Sequence, residues 1–230
     1  IIIFILFYMN YKIPSPNEIR KSFGKSDNFI SHNLHRRISA FLTWFFLHFT
    51  LTAELIALLT PLNDLVTLYA ISNGNFILAA ILIQLNIVLD SSDGEIARFR
   101  KTIMKRTKNQ ESFGGLTDSV AGLLIFPFVI FYAGFKFGGL IPGLVIVGVF
   151  YLLILSSAYT KVYFPKLEIG KNFREKHLGK RKYKWGFNSV IQKSLITLAL
   201  LFQSIIFLWI FAVGAFIVIV MRIYLLYKQK

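Results

Sequence analysis

The sequence predicts an all-α fold, a polytopic membrane bundle of six transmembrane helices with an amphipathic interfacial helix before the first. Three observations predict it. Of the 230 residues, 55% are hydrophobic, with 24 Phe and a mean hydropathy of +0.60, where soluble domains run at about 45–50% apolar. Charged residues make up 16%, against about 25% in a soluble domain. The apolar residues gather in runs close to the roughly 20 residues that a helix needs to cross a bilayer.

Residues 1–37 read as an N-terminal polar and basic segment, and 38–230 as one membrane domain. Ile1–Met9 is apolar but too short to span, and it lacks the leader and cleavage site of a signal peptide. The chain opens on Ile1 rather than Met, so residues upstream are expected. Ile38 to about His48 is amphipathic and aromatic, with Trp44, Phe45 and Phe46, which suits a helix lying at the interface. The first span is expected at 51–72, polar for a span because of Glu54, Asn63 and Asp64, and with Pro61 as a candidate kink. The second runs over 75–98 after the Ser72-Asn73-Gly74-Asn75 turn. The third covers 113–134 and the fourth 138–160. Residues 161–187 are basic, with nine Lys/Arg against Glu168 and Glu175. The apolar stretch 188–228 is broken near Gln203-Ser204 and fits two helices.

The net charge is +15. Nucleic acid is set aside as a partner, because the basic residues sit between apolar spans. Such loops mark the cytoplasmic side and contact anionic lipid. Lys/Arg is dense in 12–37, 98–108 and 161–184, and the loops on the opposite side are nearly free of it. Both termini are therefore expected in the cytoplasm. With no cysteine, disulfides, thiolate metal sites and cysteine nucleophiles are excluded.

The chemistry is expected where acids meet these spans. Asp90-Ser-Ser-Asp93-Gly94-Glu-Ile-Ala97-Arg98 closes the second span, and Gly114-Gly115-Leu-Thr-Asp118 opens the third. An ionised carboxylate at mid-membrane depth costs roughly 2.5–3.5 kcal/mol on insertion scales. On a helix, Asp90, Asp93 and Ala97 share one face. Two carboxylates a turn apart repel unless a cation lies between them. With no His or Cys nearby, the ligands are all oxygen, which selects Mg²⁺ or Mn²⁺ over zinc. Arg98 is placed to hold a phosphate, and Gly94, Gly114 and Gly115 let a ligand approach the backbone. A structural alternative stays open, in which Arg98 and Arg100 simply neutralise the aspartates.

This pattern resembles the CDP-alcohol phosphotransferases, also called CDP-alcohol phosphatidyltransferases, whose signature is D-x-x-D-G-x-x-A-R-x8-G-x-x-x-D-x-x-x-D. Its first half is matched at each fixed position. The resemblance extends over residues 28–228, including an Arg36-Arg37-Ile38-Ser39 amphipathic lead-in. It implies a membrane transferase that moves a substituted phosphate from a CDP-linked donor, such as CDP-diacylglycerol, to an alcohol acceptor with release of CMP. It implies Asp90, Asp93 and Asp118 as ligands of Mg²⁺ or Mn²⁺, and Gly94, Ala97, Arg98 and Gly114 as the nucleotide site. The family's last aspartate is taken to be the base. Here that position is Gly122, and no other acid lies in the third span. The sequence departs twice more. Fifteen residues separate Arg98 from Gly114 where the signature has eight, the excess falling in the basic Lys101–Gln110 stretch. Thr52-Ala53-Glu54 replaces the usual Thr-Pro-Asn.

Two further readings stand beside the enzyme: a degenerate member that binds metal, nucleotide or lipid without turnover, and a transporter or scaffold. His32 and His35 are a candidate metal pair, with a polar interfacial face as the alternative. Lys193 and His48 are expected to snorkel or lie at the interface. Gly139, Gly143 and Gly148 suit helix packing, or the face of a homodimer.

Overall fold

Lipid offers no hydrogen bonds to a backbone, so each apolar run must satisfy its own as a helix. The structure, a computed structural model, describes residues 13–21, 34–49, 51–103, 116–117, 119–163 and 189–227, and these are helical apart from short turns. Among the described residues, two helices precede the long apolar ones: α1 (Pro16–Lys21) and α2 (Arg36–His48). The bundle then consists of α3 (Ala53–Ser72), α4 (Phe76–Ile103), α5 (Phe126–Gly138), α6 (Leu140–Tyr163), α7 (Ser189–Leu201) and α8 (Ile205–Tyr227). Among the described residues, five stretches are long and apolar enough to cross a membrane: Ala53–Ser72, Phe76–Phe99, Ala121–Gly138, Leu140–Thr160 and Ile205–Tyr224. The remaining apolar helix, α7, has 13 residues, short of the roughly 20 that span.

Local chemistry sets the helix ends. Thr52 caps α3, its side chain accepting from Leu55 N at 3.2 Å. Pro61 lies inside α3, and the helix continues through it. The expected turn follows: Gly74 adopts φ +74°, and Asn75 Oδ1 accepts from Leu78 N at 3.3 Å. A second left-handed glycine, Gly139 at φ +87°, turns the chain between α5 and α6. Gln203-Ser204 separates α7 from α8, as the sequence indicated.

The third apolar stretch begins on a π-helical turn, Ala121–Ile125, just before Pro127. Pro127 has no N–H, so the carbonyl four residues back, that of Leu123, lacks its helical donor. Tyr151 Oη on α6 donates to that oxygen at 3.0 Å. Close approach of the same two helices needs glycine. A Cβ on Gly134 would lie 2.9 Å from Gly143 Cα, and one on Gly143 would lie 3.1 Å from Phe131 O. Gly143 therefore packs helices within the chain, whereas a Cβ on Gly148 would meet nothing within 4 Å.

Among the described residues, two apolar clusters hold the helices together. The larger joins α3 to α8 around Ile83, Val129, Ile130, Ile146, Leu200 and Phe211, all fully buried. The smaller seats α1 and α2 against the start of α3 and the last turns of α4, through Ile19, Ala40, Ile56 and Ile96. The site lies between them, where α3, α4 and α7 meet.

Candidate functional site

The signature residues on α4 divide between two faces. Asp90 is exposed, Asp93, Gly94 and Ala97 are half-buried, and Glu95 and Ile96 are fully buried. Asp90, Asp93 and Ala97 thus share the open face, as helical spacing requires. The Arg98 side chain folds back along this face, its Nη1 3.6 Å from where a Cβ on Gly94 would stand. Asp118, Gly114 and Gly115 lie outside the described residues, as does the side chain of Arg100.

Asp90 opens onto a cavity of about 200 Å³. One wall comes from α3, with Thr60 and Asp64, and from Asn86 one turn before Asp90 on α4. The opposite wall is Ala121, Gly122 and Phe126 at the π-helical turn, with Phe150 from α6. Ser189, Gln192 and Lys193 of α7 complete the lining. Gly122 faces this space: a Cβ built on it meets no atom within 4 Å.

A polar network crosses the cavity wall. Asn86 Nδ2 donates to Asp64 Oδ1 at 2.7 Å, and Lys193 Nζ donates to Asn86 Oδ1. Lys193 Nζ also stands 5.2 Å from the centroid of the Phe126 ring, within cation–π range. Lys193, expected to snorkel or lie at the interface, bonds across to α4. The Asn86 amide oxygen replaces lost hydration at its ammonium, and the Asp64 carboxylate on the far side of Asn86 offsets the charge, where an isolated buried charge would be far more costly. Neighbouring Asn63 bonds α3 to α4 separately, Nδ2 to Leu82 O at 2.8 Å.

Helix α2 docks on the other face of α4. Glu95 accepts from Arg36 Nη1 at 3.0 Å, Ser39 Oγ at 2.7 Å and Thr43 Oγ1 at 2.6 Å. His35 is buried, its Nε2 2.8 Å from Gln84 Oε1, and Gln84 Nε2 donates to Thr197 Oγ1 at 2.6 Å. His35 thus joins a network linking α2, α4 and α7, and its suggested metal partner His32 lies outside the described residues. His48 is exposed, with Nδ1 2.8 Å from Trp44 O.

Sequence reasoning placed Asp90, Asp93, Gly94, Ala97 and Arg98 together, and they do share a helix face. It did not anticipate Thr60, Asp64, Asn86 or Lys193 at the same cavity. The available signal was Asp64, an acid at mid-span with no helical counter-charge.

A profile of the CDP-alcohol phosphatidyltransferase family matches residues 40–222, which take in α3 to α7 and every residue that lines the cavity. The chain belongs to this family. A comparison with curated proteins finds no match. CDP-alcohol phosphatidyltransferases generally depend on Mg²⁺ or Mn²⁺. Among the described residues no group of three or more His, Cys, Asp or Glu could hold a metal. Asp90 and Asp93 nonetheless suit a hard cation. Both are carboxylates on the open face, and Asp90 borders free space that could hold water and phosphate oxygens.

Proposed function

We propose that this chain is a membrane phosphotransferase that moves a substituted phosphate from a CDP-linked donor, such as CDP-diacylglycerol, to an alcohol, releasing CMP. The observation that carries the proposal is the family's signature half on one open helix face, with Asp90 bordering a half-open cavity lined by polar side chains and two aromatic rings. Asp90 and Asp93, with Asp118, would hold Mg²⁺ or Mn²⁺, which offsets charge on a diphosphate and on the leaving CMP. Gly94 and Ala97 leave room beside the helix for the nucleotide, with Gly114 contributing from the next segment. Arg98 pairs with a phosphate oxygen. The lysine-rich loops support a cytoplasmic active face with α7 as the sixth span, both termini cytoplasmic and α2 at the interface.

The test is CMP release by purified protein given Mg²⁺ or Mn²⁺, CDP-diacylglycerol and a panel of glycerol, serine, ethanolamine, choline and inositol. Activity with at least one alcohol, abolished in Asp90→Asn and Asp93→Asn, is expected. Folded protein that releases no CMP with any alcohol overturns the proposal.

Gly122 supports a second reading, binding without turnover, because the position expected to carry a carboxylate offers only open space. In that case CDP-diacylglycerol still raises the melting temperature in a divalent-dependent manner while no CMP appears. Absence of that thermal shift would remove this reading too.

A further inference from the structure

Three features of the cavity wall are not explained by packing. Asp64 is 2% exposed, yet Lys193 does not take up its oxygens directly: Asn86 stands between them, donating to Asp64 Oδ1 and accepting from Lys193. The ammonium balances the charge and leaves most of the carboxylate's roughly four lone-pair sites to other donors. Thr60 is 5% exposed, and its Oγ1 has no hydrogen-bond partner among the described residues. A helical threonine usually donates to a carbonyl three or four residues back, as Thr67 does to Asn63 O at 2.8 Å. Thr60 and Asp64 are four apart on α3, so they stand side by side, and both line the cavity. Finally, Gly122 leaves its part of the same space empty of side chain.

We propose that Asp64 is the proton acceptor for the incoming alcohol, supplied by α3 in place of a carboxylate at 122, with Thr60 Oγ1 donating to the alcohol oxygen to position it. This rests on the phosphotransfer reading. The depth agrees: Asn86, which holds Asp64, is four residues or about 6 Å along α4 from Asp90, so Asp64 sits one turn inside the signature face. The alcohol's O–H proton passes to the Asp64 carboxylate as its oxygen bonds to the distal phosphorus of the CDP-linked donor. The bond from that phosphorus to the bridging oxygen breaks, and its electron pair leaves with CMP. Asp64 then returns the proton to water. Lys193 and Asn86 act through Asp64 as positioning residues. Small polar acceptors suit the space, since Ser189, Gln192 and Asn86 face it alongside the two aromatic rings.

The experiment measures CMP release and donor-induced thermal shift for wild type, Asp64→Asn, Thr60→Val and the double variant Asp64→Asn/Gly122→Asp. Asp64→Asn is expected to lower kcat by about 10²–10⁴-fold, with the thermal shift from CDP-diacylglycerol unchanged. The double variant should regain at least about tenfold of that loss, because it returns a carboxylate to the same cavity. Asp64→Asn that keeps kcat within about threefold of wild type overturns the role of Asp64. Should Asp64→Asn not fold, Thr60→Val decides: KM for the alcohol rises about threefold or more with KM for the donor unchanged, and an unchanged alcohol KM overturns the proposal. Inactive wild type would instead remove the phosphotransfer reading, and this inference with it. Active wild type beside an equally active Asp64→Asn removes this inference alone.

Discussion

Arg36 Nη1 lies 3.0 Å from Glu95 Oε1, joining α2 to the second and most hydrophilic half of α4. The same carboxylate accepts from Ser39 and Thr43, one and two turns further along α2. Glu95 is fully buried, so all three donors replace water that it has lost. Asp93 and Gly94 immediately precede it. The contact that anchors α2 therefore also fixes how α4 presents its open face.

Replacing Glu95 with Ala leaves Arg36, Ser39 and Thr43 without their acceptor. Removing one partner of a buried pair costs about 3–5 kcal/mol, so Glu95→Ala should melt well below wild type in detergent. Glu95→Gln keeps one amide oxygen for the hydroxyls and should fall between them. Thermal unfolding of the three proteins checks the order, and equal melting temperatures would refute it.

The α5–α6 contact makes a contrasting pair. A Cβ at 143 would press on Phe131 O and Phe135 N, both backbone atoms at 3.1 Å, which cannot rotate away. Gly143→Ala should destabilise by about 1–3 kcal/mol, the usual range for overpacking. Gly148→Ala, on the same helix with open space around it, should be neutral or slightly stabilising through helix propensity. Comparable losses at both positions would contradict this packing.

Tyr151 and Pro127 should be energetically coupled. Tyr151→Phe removes the donor to Leu123 O and should cost about 0.5–1.5 kcal/mol. Pro127→Ala supplies a backbone N–H that can bond the same carbonyl, so Tyr151→Phe should cost less in that background. A double-mutant cycle with no coupling would show that Tyr151 does not compensate for the proline.

Much of this fold was legible because lipid enforces it. The apolar runs, the Asn73-Gly74-Asn75 turn and the Gln203-Ser204 break mark the helix ends with little ambiguity. The signature face was legible because Asp90, Asp93 and Ala97 are close in sequence, and helical spacing alone aligns them. The cavity was not. Asp64, Asn86 and Lys193 are separated by 22 and 107 residues, and only the packing of α3, α4 and α7 brings them together. Lys193 looked like a lysine reaching for the interface, since nothing in the sequence showed the carboxylate on the far side of Asn86. Glu95 occupies a variable position of the signature, so the motif drew attention away from the acid that does most to dock α2.

Gly122→Asp should separate charge from shape at the cavity. The new Cβ meets no atom within 4 Å, so the variant should fold. Its carboxylate would share the cavity with Asp90 and Asp64, with Lys193 as the cation on that wall. Like charges in a poorly solvated space repel, so without divalent cation the variant should melt below wild type. Mg²⁺ or Mn²⁺ reverses the sign, because a cation held by oxygen ligands turns the repulsion into coordination. The melting temperature should then meet or exceed that of wild type, at a divalent concentration lower by about tenfold, equivalent to 1.4 kcal/mol. CMP release by this single variant should stay within about threefold of wild type, since Asp64 already accepts the proton, whereas a rise of the 10²–10⁴-fold typical of a restored general base would point to wild type lacking one. Melting curves with and without divalent cation, read beside CMP release, check both expectations on one protein.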